Sequence, residues 1–222
     1  MLGQVWSTVA SSDGFTKFIL LLILVLSIGS WTVAIAKLKE LRRIMGASRI
    51  FMEALRTTGR PPGGNFIKSS GDMGPLARMY TEAGRYLSRR KDQGRIEPLS
   101  SDEVAILHSA LEREASEDLA HRSRNIGFLA TVTSVSPLLG LLGTVWGVLA
   151  SFIAMREAGV ADISAVGAGV AAALTTTVAG LLAAIPANVF HNYVVGKVDD
   201  LAGEMDRFLS ELVDVCRRGS IQ

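Results

Sequence analysis

NIGFLATVTSVSPLLGLLGTVWGVLASFIAM, from Asn125 to Met155, contains no charged side chain. Wound as a helix at 1.5 Å per residue it measures about 46 Å, more than the roughly 30 Å hydrocarbon core of a bilayer. A run of this kind reads as a membrane span. Two others accompany it. Phe18 to Ala36 is uncharged, and from Ile163 to Gly196 the only ionisable residue is His191. The chain has 222 residues, 49% hydrophobic and 20% charged, and nearly all of the charge falls outside these three runs. That segregation predicts an all-α membrane protein with three transmembrane helices.

Charge also sets the expected orientation. Lys37 to Arg124 holds 17 Lys/Arg against 12 Asp/Glu, whereas only Asp13 and Lys17 precede Phe18. The excess of basic residues predicts a cytoplasmic loop, an N-terminus outside and a C-terminus inside. Interleaved acids argue against a nucleic-acid-binding face. Cys216 stands alone, so no disulfide can form within the chain and an inert, buried thiol is expected. Ala34-Ile35-Ala36 resembles a signal-peptidase site, but no basic region lies near Met1 and Lys/Arg follow at once. The first run is therefore expected to be retained as a membrane helix.

The resulting layout has a periplasmic segment at 1–15, with an interfacial helix around Val5, Trp6 and Val9, and a first span at 16–37 with Trp31 as an interface anchor. A cytoplasmic helical domain follows at 38–124. The remaining parts are a second span at 125–155, a short periplasmic loop at 156–164, a third span at 165–195 and a cytoplasmic helix at 196–222. The first helix should continue to Leu55, before the breaker Gly59 and the loop Arg60-Pro61-Pro62-Gly63-Gly64. A shorter helix is expected from Pro75 to Arg90. Ser100 and Glu103 fit a capping box. From there one unbroken helix is expected to run into the second span, and the third should likewise extend far into the cytoplasm. Val194, Val198, Leu201, Met205, Phe208, Leu212 and Val215 form a seam in steps of four and three. It suits packing either on the chain's own helices or between subunits.

Chemistry inside a membrane belongs where polar groups enter apolar surroundings. Thr133, Pro137, Gly140, Thr144, Gly147 and Ser151 form one stripe of small and polar residues in the second span. Gly169, Ala173, Thr177, Gly180, Ala184, Asn188 and His191 form another in the third. Counting from Met155 and Val166 puts Thr144 and Thr177 at one level, about 16 Å deep, near the bilayer midplane. The stripes fit close helix packing or a hydrated, partner-lined cavity. A threonine carries no charge at neutral pH, so a charge relay would need a carboxylate from elsewhere. Gly167-x-Gly169-x-x-Ala172 matches a dinucleotide fingerprint but lacks the preceding strand. His108, His121 and His191 make no ligand pair at helical spacing. No catalytic set, metal site or cofactor is expected, and an enzyme is not indicated.

Ser134-Val135-Ser136-Pro137-Leu138-Leu139-Gly140-Leu141-Leu142-Gly143-Thr144-Val145-Trp146-Gly147 resembles the second-span signature of the TolQ/ExbB/MotA proton-channel family. The stretch from Ala173 through Thr175-Thr176-Thr177 and Gly180 to Pro186-Ala187 resembles its third, and Ser27-Ile28-Gly29-Ser30-Trp31 is similar to the TolQ branch. The resemblance implies an inner-membrane homo-oligomer, a pentamer, enclosing the single spans of a TolR/ExbD-like partner whose membrane aspartate exchanges protons. A TolA/TonB-like protein would stand beyond it. The implied function is the proton-channel subunit of a motor complex that drives Tol-Pal-type envelope maintenance or energised transport. A non-conducting scaffold and a divergent gliding-motility motor subunit are the alternatives. Thr144 and Thr177 match the family's pore threonines, and Thr176 and Ser136 complete the candidate proton pathway. Pro137, Gly140, Gly147, Gly180 and Pro186 are the candidate helix-packing positions. The chain departs from the family at Ala172, where a glutamate is usual.

Overall fold

The computed structural model describes residues 13–58, 74–94, 97–158 and 163–217. Its regular elements are five helices: α1 (Gly14–Thr58), α2 (Pro75–Asp92), α3 (Ser101–Ser123), α4 (Ile126–Ala158) and α5 (Ile163–Arg217). There is no strand among the described residues. Three helical stretches are long and apolar enough to cross a membrane, within α1, α4 and α5. The anticipated interfacial helix around Val5, Trp6 and Val9 and the loop at Arg60–Gly64 lie outside the described residues.

The chain divides into two compact units, one of Met1–Ala36 with Asn125–Val194 and one of Lys37–Arg124 with Val195–Gln222. In the first unit Leu129 and Val132 are buried in the ordinary way, but between Ser136 and Ala187 the usual size order of a protein interior is inverted along α4 and α5. Buried positions of α4 and α5 include Ser136, Ala173, Thr176, Ala183, Ala184 and Ala187. Leu138, Leu141, Val145, Leu174, Leu182 and Ile185 are exposed. In water this arrangement would forfeit the burial of large apolar groups. In a bilayer, lipid or neighbouring helices cover them, and small residues let backbones approach. Ile19 and Ile23 of α1 pack on Ala183, with Leu139 and Ala179 alongside. Further along, Trp31 meets Phe190 edge-on at 5.0 Å between ring centroids.

The second unit has an ordinary core. Ile44, Phe51, Leu76, Met79, Leu107, Leu111, Leu201, Met205, Phe208 and Leu212 cluster together. The seam beginning at Val194 therefore packs, from Leu201 on, against the chain's own helices. Its last member is Cys216, buried, rather than Val215, which is 40% exposed. A straight helix repeats every 3.6 residues, so a strict heptad count lags by about 20° per heptad, roughly 60° over the three heptads from Val194 to Val215, which leaves Cys216 nearer the buried face.

Local chemistry explains the helix ends. Ser100 Oγ accepts the Glu103 N–H at 3.3 Å while Glu103 accepts the Ser100 N–H at 2.9 Å, completing the expected capping box. Arg90 of α2 grips the same carboxylate through two 3.1 Å bonds. Held first by the Ser100 N–H and then by Arg90, the Glu103 carboxyl is lowered to about 2. Arg89, Arg90 and Lys91 face the C-terminal dipole of α2, which stops at Gln93 and Gly94, the glycine at φ 75°.

The expected unbroken helix from Ser101 into the second span is interrupted. Arg124 caps α3, and Asn125 takes φ 69° before α4 starts at Ile126. No glycine or proline announced the break. Asparagine tolerates left-handed backbone better than most residues, and that latitude, not its polarity, is what matters here. Just before the break an ionic network is buried in the second unit. Arg122 clasps Asp118 at 2.5 and 2.9 Å, and Arg78 adds a 3.0 Å bond. Lys37 bonds to Glu40 and to the Arg122 carbonyl, both at 2.9 Å.

Candidate functional site

Gly140, Gly143 and Gly147 recur on one side of α4 and give it a surface almost free of side chains. The facing helix comes close enough to exclude a methyl group. A Cβ on Gly140 would fall 2.8 Å from the Thr176 carbonyl oxygen, and one on Gly143 would fall 2.6 Å from Thr176 Oγ1. On Gly147 it would meet Ala173 Cβ at 2.7 Å, and on Gly180 the Ser136 carbonyl oxygen at 2.5 Å. Contacts under 3.0 Å cannot be relieved where backbone stands opposite. Of the candidate packing positions, Gly140, Gly147 and Gly180 are thus at the seam. Pro137 and Pro186 sit within α4 and α5 and are half-buried.

The close approach brings three hydroxyls into one cluster. Thr144 Oγ1 lies within hydrogen-bond reach of the Gly140 carbonyl at 3.0 Å, the Ala173 carbonyl at 3.1 Å and Thr176 Oγ1 at 3.4 Å. It also bonds to Thr177 Oγ1. Thr176 donates to the carbonyl of Ala173 at 2.7 Å or of Gly140 at 2.8 Å, and Thr177 reaches that of Gly140 at 3.2 Å. Thr176 is wholly buried, whereas Thr144 and Thr177 are half-buried. Each hydroxyl has one proton to give and several acceptors to choose among, so the donor pattern can be redrawn without moving a helix. The cluster can hold or pass a hydrogen bond, but it contains no group that titrates near neutrality.

Ser136, the fourth candidate pathway residue, stands apart. It is two turns from Thr144 along α4, fully buried, and its Oγ has no hydrogen-bond partner among the described residues. Conversely, Gly143 belongs at the heart of the seam although the four-and-three stripe passes it over. The usable signal was its spacing, three residues from Gly140 and four from Gly147. Ala172, the position of departure, is buried at 8% exposure.

The start of α1 lies beside α4 near the cluster. Trp146 Nε1 donates to Asp13 Oδ2 at 2.9 Å, and the Trp146 ring lies 4.6 Å from that of Phe15. Thr144 is only two residues from Trp146. Measured against α1, the cluster is therefore level with that helix's first turn, not midway along its apolar run. α4 continues past the start of α1 to Ala158. Burial works to raise the Asp13 carboxyl, but hydrogen bonds from Thr16, Trp146 and Phe15 together hold it below the ordinary carboxylate value.

Comparison with known proteins points one way. The sequence model described as the MotA/TolQ/ExbB proton channel family matches residues 82–207, more than half of the chain. The Tol-Pal system protein TolQ of Pseudomonas aeruginosa is 28% identical over 223 residues, covering 97% of this chain and 93% of that protein. The TolQ of Haemophilus influenzae is 39% identical over 112 residues, 50% of this chain and 47% of its own. The biopolymer transport protein ExbB of Pseudomonas putida is 31% identical over 191 residues, 84% of this chain and 55% of its own.

Proposed function

We propose a function from one premise: the chain belongs to the MotA/TolQ/ExbB proton channel family. On this reading it is the proton-channel subunit of an inner-membrane motor complex. It spends the proton motive force, together with a TolR/ExbD-like single-span partner, on an envelope process of the Tol-Pal or energised-transport kind. Several copies, five in our reading, surround the partner's span, with the N-terminus periplasmic and the Lys/Arg-rich loop cytoplasmic.

The observation that supports this most is the Thr144–Thr176–Thr177 cluster in a seam otherwise built from glycine and alanine. Hydroxyls do not ionise here, so the titrating group has to come from the partner. Its carboxylate is costly in an apolar environment unless donors meet it. Thr144 and Thr177, the two half-buried members, can turn their protons toward such a carboxylate while Thr176 keeps the two backbones joined. When the acid takes up a proton, the same hydroxyls return to the Gly140 and Ala173 carbonyls. The subunit thereby offers one arrangement to the charged acid and another to the neutral one. That difference in free energy is what a motor requires of a two-state element.

The tightness of the seam favours a second reading, a non-conducting scaffold whose threonines only pack. Substitution at constant shape separates the two. Thr144→Val and Thr177→Val should each insert and assemble normally yet lower proton flux at least tenfold in vesicles containing the partner, while Thr177→Ser retains most of it. Undiminished flux in both valine variants would remove the channel reading and leave the scaffold.

A further inference from the structure

The polar stripe of the third span does not end at the threonines. Asn188, His191 and Asn192 stand on α5 ahead of Lys197, the first lysine, arginine or acid after Ile163. Asn188 is nine residues short of it, about 13 Å along the helix. His191 follows Phe190, whose ring meets Trp31 of the first span at 5.0 Å. The three side chains are linked. Asn192 Nδ2 donates to Asn188 Oδ1 at 3.4 Å, and His191 Nδ1 lies 3.4 Å from Asn192 Oδ1. Both asparagines are exposed, whereas Ala183, Ala184 and Ala187 of the same stretch are buried. A carboxamide has two N–H groups and two oxygen lone pairs, so these links leave much of its capacity unused. Turned to hydrocarbon, such groups would be costly.

Eleven residues, three turns of helix, separate Asn188 from the half-buried Thr177, so the two share one edge of α5 about 16 Å apart. We infer that Asn188, His191 and Asn192 line a water-filled passage from the threonine cluster to the Lys/Arg-rich side, with His191 as its proton-carrying group. This rests on the proton-channel reading above. The asparagines hold water at the inner end, and water alone bridges the interval beside Leu181 and Ala184, which offer no polar side chain. The partner's acid gives its proton to that water and is left as a carboxylate. His191 takes the proton at its unprotonated ring nitrogen. The imidazolium then releases a proton from its other nitrogen to water on the Lys/Arg-rich side and is neutral again. One proton crosses, and no bond between heavy atoms changes. No Asp, Glu, Lys or Arg lies between Ile163 and Gly196, so imidazole is the side chain there suited to the task.

Two measurements test this in the full-length protein assembled with its partner in vesicles. The first is cysteine labelling in a Cys216→Ala background. Asn188→Cys and Asn192→Cys should react with a membrane-impermeant methanethiosulfonate reagent at least ten times faster than Leu182→Cys and Val189→Cys. The latter two are 68% and 62% exposed but lie on another face of α5. Equal rates would put the asparagines against lipid or a neighbouring helix and overturn the passage. This readout needs no proton flux, so its failure is distinct from failure of the channel reading. The second is flux. His191→Ala should lower it at least fivefold, and imidazole in the buffer should restore at least half of the loss without altering the flux of the unaltered protein. Unchanged flux in His191→Ala, beside the expected loss in Thr177→Val, would remove His191 from the path and spare the channel. A loss that imidazole leaves unrepaired would make His191 structural and likewise overturn its role. Normal flux in both variants would remove the channel reading, and this proposal with it.

Discussion

Thr176 has no exposed surface and two carbonyls within 2.8 Å, so at the residue scale it acts as a stitch between α4 and α5. Thr176→Val keeps the shape and removes the bond. Its cost should be small, about 1 kcal/mol, as is usual for hydrogen bonds between membrane helices. Gly143→Ala and Gly140→Ala should each cost more, about 1–3 kcal/mol, because the added methyl meets a facing helix with no room to yield. Equilibrium unfolding in mixed micelles would rank them, and a Thr176→Val variant less stable than Gly140→Ala would contradict this assignment. Cys216 is a quieter case. Burial pushes its thiol up to about 11, so the reactive thiolate is scarce at neutral pH. Maleimide should label it slowly in the native protein and promptly once the protein is denatured.

Elements are held by their ends. Glu103 fastens the start of α3 and ties it to Arg90 of α2, and its folded value of about 2 lies below its ordinary 4.5. The ionised form is therefore the stabilising one. Its contribution should be complete above about pH 4.5 and disappear as pH falls through about 2. In Glu103→Gln the melting temperature should fall less steeply over that interval than in the unaltered protein. At the other end of α3, Asp118 is 6% exposed and answers both Arg122 and Arg78. Removing it leaves the buried Arg122 guanidinium with only the longer 3.4 Å contact to Glu40, so Asp118→Ala should destabilise the second unit by about 3 kcal/mol. Denaturant titration followed by far-UV circular dichroism would measure it. Asn125 turns the chain between α3 and α4. Asn125→Gly should be neutral there, whereas Asn125→Val forces a β-branched residue to positive φ.

Across the whole molecule, the three apolar runs, α1 past Leu55, the helix from Pro75 and the Ser100–Glu103 box were all legible in the sequence, because length and local capping need no tertiary information. The left-handed Asn125 was not, since a lone asparagine in a helical pattern gives no warning. Likewise, which of several small residues faced the seam was blurred. Stripes at 133–137–140–144 and 132–136–140–143 differ by one residue, and only the packing of α5 selects the second. The meeting of Thr144 with Thr177 followed from equal counts to the intervening loop, but their level against α1 did not, because nothing in the sequence registers Asp13 with Trp146. The seam ending at Cys216 belongs to the second unit's core. Phe208→Ala, which removes one of the two rings against Phe51 (Phe208 at 6.0 Å, with Tyr80 at 5.9 Å remaining), should destabilise that unit by about 3–5 kcal/mol while the spans still insert. Limited proteolysis of vesicles would register the change.

The inverted packing of α4 and α5 has one more consequence. Since the spine is made of the smallest side chains and the bulky ones line the outside, the two surfaces answer to different masters. Trading leucine for isoleucine or valine outside leaves the hairpin's own fit untouched and alters only its fit to whatever borders it. A lineage could thus retailor its neighbours by reshaping that coat, with the spine unable to accept even a single carbon.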